Sequence, residues 1–451
     1  MVNSQRHIVL NAFLVPTGHH VAAWRHPAAE AAGGLDFAHY QQLARIAEDA
    51  LFDSIFVADF STSFEQKDAA LAARTSSSAF LEPITLLSGL AAVTRRIGLI
   101  GTVSSTFNEP FNLARKFASL DVMSHGRMGW NLVTTGNEKE AFNYGAQGLP
   151  PHAERYARAR EFAEVTIGLW ESWDEDAFIL DKQSGFFFDP AKVHVLNHQG
   201  PHFSVRGPLN VGCSPQGRPV IVQAGSSPDG RAFAAESAEV VFVATPTLAE
   251  AQEFYTDIKS RTVAAGRGRD DIKILPGVFP VIGRTREEAQ AKYQALQDLI
   301  HPDIGLGLLS VLLGTDLRGI DPEGPLPELP EAIGHQGRQK LLIELARRDN
   351  LTVRELYLRI AGARGHWTVI GTPVEIVDQL QHWFENGAAD GFNIMPPILP
   401  GGLSEFAALV VPELQKRGLF RTAYEGQTLR DHLRLQKPES RIRTAQAEAA
   451  E

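Results

Sequence analysis

Cysteine is almost absent from this chain: Cys213 is the only one in 451 residues. That excludes an internal disulfide framework and any cysteine-rich metal site, and Cys213 itself reads as a small packed or loop residue. Long hydrophobic runs are missing too. The apolar stretch from Ile8 to Val15 is too short to span a bilayer and has no small-residue cleavage site behind it, so no membrane partner and no signal peptide are expected, and a cytoplasmic location is. Positive charge is not in excess, with 43 Lys and Arg against 53 Asp and Glu for a net of −10, which is the wrong sign for a nucleic-acid partner. A Gly-x-Gly-x-x-Gly fingerprint after a strand is also lacking, which argues against a bound dinucleotide. What remains is ordinary for a soluble protein with a large core: 44% hydrophobic and 21% charged residues, in a length that suits one large domain with insertions or two to three ordinary ones.

Short runs of Val, Ile and Leu alternate with longer amphipathic stretches, the mark of βαβ units and a parallel sheet. Strands are predicted over 8–14, 54–58, 97–103, 128–133, 219–223, 240–243, 273–281 and 391–395. Helices are predicted over 36–50, 83–94, 111–123, 154–172, 229–238, 248–265, 285–299, 373–386 and 403–416. Eight strand-helix repeats favour an α/β fold of the (β/α)8 TIM-barrel type over an open sheet. The expected organisation is a single barrel domain over 1–436 with insertions at about 60–82, 174–218 and 300–372, then a charged tail over 437–451. Loops this long are usually lids or binding loops. In the middle one, Gly185-Phe-Phe-Phe188 and His202-Phe-Ser-Val205 look like strands of a hairpin excursion. The third begins as a proline-rich loop and turns amphipathic from Gly337 to Ile360.

In such a barrel the chemistry gathers at the carboxyl ends of the strands. Asp59 ends the second strand and reads either as a cap or as a polar contact to a ring system. Thr102 lies in Gly101-Thr-Val-Ser-Ser105, where hydroxyls could donate to a carbonyl or simply cap a turn. Asn131 sits inside the fourth strand, where an amide is costly without a partner and is often just a satisfied core group. His152 and Tyr156 stand four residues apart at a helix start, so both project from one face. Gly225, Ser226 and Ser227 lie between a strand and a helix; the pattern suits a common turn, and equally a phosphate held by hydroxyls at a helix N-terminus. After the first strand come His19, His20, Trp24 and His26 within ten residues. A metal reading is disfavoured there, because adjacent histidines point different ways and no carboxylate set follows at ligand spacing.

Val57-Ala-Asp-Phe60, Arg127-Met-Gly-Trp-Asn-Leu-Val-Thr-Thr135, Pro151-His-Ala-Glu-Arg-Tyr156 and Gln223-Ala-Gly-Ser-Ser227 together resemble the flavin-dependent monooxygenases of the bacterial-luciferase superfamily. The nitrilotriacetate and dibenzothiophene-sulfone monooxygenase branch is the nearest match. The resemblance runs from His19 to about Leu433 and includes Gly334-His-Gln-Gly337, Gly362-Ala-Arg-Gly365, Gly371-Thr-Pro373 and Asp390-Gly-Phe-Asn393. It implies a two-component monooxygenase that binds reduced FMN from a separate NAD(P)H-dependent flavin reductase and reacts it with dioxygen to oxygenate a small-molecule substrate. It assigns Asp59, Thr102, Asn131, His152, Tyr156, Gly225, Ser226 and Ser227 to the flavin, with the phosphate after the fifth strand. It places His19, Trp24 and Phe392 at the substrate and makes His20 or His152 a candidate for steering a proton. A homodimer or homotetramer is implied. The aromatic insertion residues Phe186, Phe187, Phe188 and Phe203 lean toward an apolar substrate, or form insertion core. Competing readings are a deazaflavin-dependent oxidoreductase, a metal-dependent hydrolase and a non-catalytic flavin-binding barrel.

Overall fold

The computed structural model describes residues 6–62, 72–330 and 336–440. Runs dense in β-branched and aromatic side chains form the parallel strands β1 (Val9–Leu14), β2 (Ser54–Val57), β3 (Gly98–Ser104), β4 (Met128–Val133), β5 (Val220–Gln223), β6 (Val240–Val243) and β7 (Lys273–Ile282). Two more follow, β8 (Trp367–Gly371) and β9 (Gly391–Ile394). Each strand from β1 to β6 pairs with the next; β6 pairs with β7, β7 with β9, and β9 with β1. The result is a closed eight-stranded parallel barrel, the TIM-barrel class expected from the alternating pattern. Strand β8 is the one strand of this sheet that the hydrophobic pattern did not give. It pairs with Val278–Ile282, the half of β7 that runs on past the barrel.

Period-two alternation divides the strands into two faces. Val9, Phe56, Ile100, Val220, Val222, Val240 and Leu275 fill the inside, where Leu429, Leu433 and Leu435 from the C-terminal segment join them. Their neighbours Leu10, Ile55, Leu99, Trp130, Leu132 and Phe392 face outward onto the helices. The helical ring includes α1 (Phe37–Asp49), α2 (Pro83–Val93), α3 (Pro110–Met123), α4 (His152–Trp170), α5 (Pro228–Ser237) and α6 (Leu248–Ala264). Pro83, Pro110 and Pro228 each occupy the first turn, where a missing N–H costs nothing. No single helix among the described residues is long and apolar enough to cross a membrane.

The insertions leave from opposite ends of the barrel. The third lies beyond β7 and the expected helix α7 (Arg286–Asp298), and it is helical from near its start: α8 (Pro302–Leu313), α9 (Gln336–Arg348) and α10 (Val353–Ile360). Helices α8 to α10 share a core of their own built on Leu309, Leu313, Leu356 and Tyr357. Helix α8 replaces the loop expected after residue 300, because Leu306, Leu309 and Leu313 repeat at helical spacing despite Gly305 and Gly307. Helix α11 (Pro373–Glu385) then leads from β8 down to β9.

The middle insertion joins the end of α4 to the start of β5, so it belongs to the base of the barrel, away from the carboxyl ends of the strands. Ser214 donates to Asp121, Gln216 donates to the Met128 carbonyl at 2.8 Å, and Arg218 pairs with Glu239 at 3.1 Å, all at strand beginnings. It is therefore not a lid over the strand ends. Nor is it one hairpin. Phe186–Phe188 fold back on residues 178–181, while Ser204–Val205 pair with His198–Gln199. Phe203 is core, packed on Phe162 at 5.6 Å.

Candidate active site

At the carboxyl ends of β4 and β5 two helix N-termini face each other. Helix α4 opens at His152 and α5 at Pro228, with Ser227 as its N-cap accepting the Gly230 N–H at 3.1 Å. His152 Nδ1 meets the Asp229 carboxylate at 3.1 Å, with both side chains about half exposed. The His152 and Tyr156 rings lie 4.7 Å apart, and the Tyr156 hydroxyl is 3.5 Å from Ser227 Oγ. His152, Tyr156, Gly225, Ser226 and Ser227 thus come together around one rim. Glycine lets the backbone close up there. A Cβ on Gly225 would lie 3.0 Å from the Gly230 Cα, and one on Gly230 would lie 3.0 Å from both Gly225 Cα and the Tyr156 hydroxyl. Two aligned helix dipoles, two serine hydroxyls and a backbone held open by paired glycines make a cradle suited to a phosphate.

Thr102 and Asn131 are cross-strand partners inside the barrel, where Asn131 Nδ2 donates to Thr102 Oγ1 at 2.9 Å. Asn131 Oδ1 is buried without a hydrogen-bond partner among the described residues. Left unmet, such an acceptor costs about 1–3 kcal/mol, and the polar edge of a bound ring would relieve it. Asp59 follows β2 and is partly buried; burial, then the nearby Glu82 and Glu140 carboxylates, push it up to about 6. These groups fit a flavin: Thr102, Asn131 and Asp59 would face its ring, and the first turn of α5 would hold its phosphate. Among the described residues no group of three His, Cys, Asp or Glu is placed to hold a metal ion.

The loop after β1 carries the other candidates. His19 is buried and its Nε2 bonds the Phe13 carbonyl at 3.0 Å, so that nitrogen bears the hydrogen. Burial takes its pKa down to about 3, against that bond and aided by the Arg364 charge. His20 Nδ1 accepts from the Ala22 N–H at 3.2 Å, which leaves Nε2 to donate to Gln297 Oε1 at 3.0 Å. Burial holds His20 neutral as well, at about 4. With both nitrogens engaged, His20 could carry a proton only by giving up one of these bonds. Trp24 donates to the Arg74 carbonyl at 2.9 Å and borders a cavity of about 210 Å³ lined also by Arg25, Arg74, Leu299, His301 and Ile304.

Phe392 is where the expected pocket and the structure part. It is fully buried with its ring 6.2 Å from Trp367, in the layer between sheet and helices. Its neighbour Asn393, in register with Asn11, takes the inward position instead. The stretch Gly334-His-Gln-Gly337 begins outside the described residues. The cavity residues Arg74 and His301 were not found from sequence, since they come from two separate insertions and share no spacing with Trp24.

Comparison with known proteins identifies the family. Residues 17–390 match the model of the family described as luciferase-like monooxygenase. The chain belongs to that family. Over 444 residues, 98% of this chain and 99% of the relative, it is 50% identical to N-acetyl-S-(2-succino)cysteine monooxygenase of Bacillus subtilis (strain 168). It is 49% identical over 436 residues, 94% of this chain and 96% of the relative, to nitrilotriacetate monooxygenase component A of Aminobacter aminovorans. Among solved structures it resembles riboflavin lyase (RcaE) with modified FMN and substrate riboflavin, at a TM-score of 0.84 and 33% identity over 95% of each chain. The enzyme is thus a flavin-dependent oxidoreductase of the monooxygenase type.

Proposed function

We propose that the enzyme is the oxygenating component of a two-component system. It takes reduced FMN from a separate NAD(P)H-dependent flavin reductase and oxygenates a small organic substrate. The observation that carries this reading is the pair of facing helix N-termini, with His152, Tyr156, Ser226 and Ser227 around the Gly225–Gly230 contact. Bound FMN supplies the redox chemistry with dioxygen. The chain's own residues hold and orient it: Ser226, Ser227 and the first turn of α5 for the phosphate, Thr102, Asn131 and Asp59 for the ring. His152, on the rim and paired with Asp229, is the residue proposed to manage a proton there. The enzyme is further proposed to self-associate.

The substrate class proposed is a carboxylated compound oxidised beside a carbon–heteroatom bond. The two relatives near 50% identity are named for N-acetyl-S-(2-succino)cysteine and nitrilotriacetate, compounds that share carboxylates next to sulfur or nitrogen. The cavity beside Trp24 supports this, because Arg25 and Arg74 supply cationic donors for a carboxylate. The test is turnover with a flavin reductase, NADH, FMN and ¹⁸O-labelled dioxygen over a panel of carboxylated thioethers, carboxylated amines, aryl sulfones and alkanes. One labelled oxygen in products from the carboxylated set is expected. Turnover without label would overturn oxygenation, and turnover confined to uncharged compounds would overturn the substrate class.

A further inference from the structure

The middle insertion presents an apolar surface that the proposed chemistry does not use. Phe178, Ile179, Leu180, Phe186, Phe187 and Phe188 are between 37% and 63% exposed on one small hairpin. The hairpin is ordered: the Ile179 and Leu180 N–H groups both reach the Phe187 carbonyl, at 3.0 and 3.1 Å, and Asp181 N–H reaches that of Phe186 at 3.0 Å. Trp173 clamps its root, stacked on Phe178 at 5.1 Å and edge-on to Phe188 at 5.2 Å. At roughly 200 Å² per large apolar residue, the exposed part of these six comes to roughly 600 Å². Soluble monomers seldom show a patch above about 300–600 Å².

Its place and charge decide among occupants. The hairpin springs from the base of the barrel, so it cannot close over the strand ends. Asp174, Glu175, Asp176, Asp181 and Asp189 surround it against Lys182, Lys192 and Lys437, of which Lys192 pairs with Asp176 and Lys437 with Glu175, and this acidic balance opposes an anionic lipid surface. The tip carries one acid and one base side by side, Asp181 and Lys182, both exposed. A two-fold axis through the tip would set each Asp181 against the Lys182 of the other copy, the self-complementarity that an isologous contact needs. Roughly 600 Å² from each of two copies gives about 1,200 Å² in all, the lower edge of a stable protein–protein interface.

We infer that the hairpin over residues 178–188 is a self-association surface whose occupant is the same hairpin of a second copy of this chain. This rests on the proposal above that the enzyme is a homo-oligomer and names the surface responsible. The experiment is light scattering after size exclusion on the full-length enzyme and on a Phe186→Ser, Phe187→Lys variant. Circular dichroism and reduced-FMN oxidation serve as controls for folding, since neither residue is core or near the strand ends. The variant is expected at half the mass of the wild type with both controls unchanged. In parallel, zero-length carbodiimide cross-linking of mixed ¹⁴N and ¹⁵N enzyme should yield an isotopically mixed Asp181–Lys182 peptide. A wild type that is itself monomeric at micromolar concentration would overturn both the oligomer and this surface. A variant with undiminished mass and no mixed peptide would overturn this surface alone and leave the oligomer standing.

Discussion

Ser226 and Ser227 are neighbours with different jobs, and separating them tests the phosphate site. Ser226 is exposed, and its hydroxyl makes no hydrogen bond to the described residues. Ser227 Oγ accepts the Gly230 N–H as the N-cap of α5 and retains its own hydrogen to donate. A hydroxyl donating to a phosphate oxygen contributes about 1.5–3 kcal/mol, so Ser226→Ala and Ser227→Ala should each weaken FMN binding by about 10- to 150-fold. Loss of the cap should cost Ser227→Ala a further 1 kcal/mol or so of folding stability, which Ser226→Ala should not lose. Riboflavin, which lacks the phosphate, provides the control. Anaerobic titration of both variants with reduced FMN and reduced riboflavin should show the loss for FMN alone, with urea denaturation separating the two on stability. Equal losses for both flavins would mean that the serines shape the loop without touching a phosphate, and no loss for either would refute the site.

Four further outcomes follow from the geometry. Gly225→Ala should also weaken FMN, because its Cβ arrives 3.0 Å from Gly230 Cα and must spread the cradle; titration with riboflavin should show a smaller effect. Asp59 has a folded pKa of about 6 against 3.8 unfolded, so the folded state binds more protons in that window and stability falls as pH rises through it. With solvent screening, Asp59→Asn should therefore stabilise the protein by the order of 1–2 kcal/mol at pH 7.5 and by much less near pH 4.5, as thermal melts would show. Burial alone would raise Glu239, yet the Arg218 and Arg430 charges hold it down at about 2. Its contribution is present above about pH 4.5 and lost as pH falls toward 2, and Glu239→Gln should cost about 3–5 kcal/mol in denaturant at pH 7 by removing the carboxylate that Arg430 and Arg218 share, although Arg218 keeps Glu171 at 3.8 Å. His152→Ala should raise hydrogen peroxide released per product formed, and unchanged coupling would remove it from proton management.

The barrel was legible because each of its eight strands is a short apolar run between amphipathic stretches, and the rim because His152, Tyr156 and Gly225–Ser227 stand at helix starts where chain direction fixes their end of the barrel. Periodicity could not say which face of a strand looks inward. Phe392 drew attention as the aromatic of its strand, yet its register partner Leu10 is an outward residue, and the adjacent pair Asn11 and Asn393 is the inward one. Strand β8 escaped notice because five residues between Gly365 and Thr372 carry too little pattern, and because its partner is the tail of β7 beyond the barrel. The aromatic hairpin was read with the site because its composition is apolar. Only the chain path, from the end of α4 to the start of β5, puts it at the opposite end. The floor charges Asp53, Glu239, Arg421 and Arg430 gave no signal either, since residues hundreds apart meet there.

Stopped-flow absorbance of the enzyme mixed with reduced FMN and oxygenated buffer tests the central claim most directly, with the Ser226→Ala, Ser227→Ala double variant alongside. The expected result is that wild type consumes oxygen well before the oxidised flavin spectrum returns, and that the variant loses this delay. Flavin oxidation at the rate of free reduced FMN, alike in both proteins, would contradict the account.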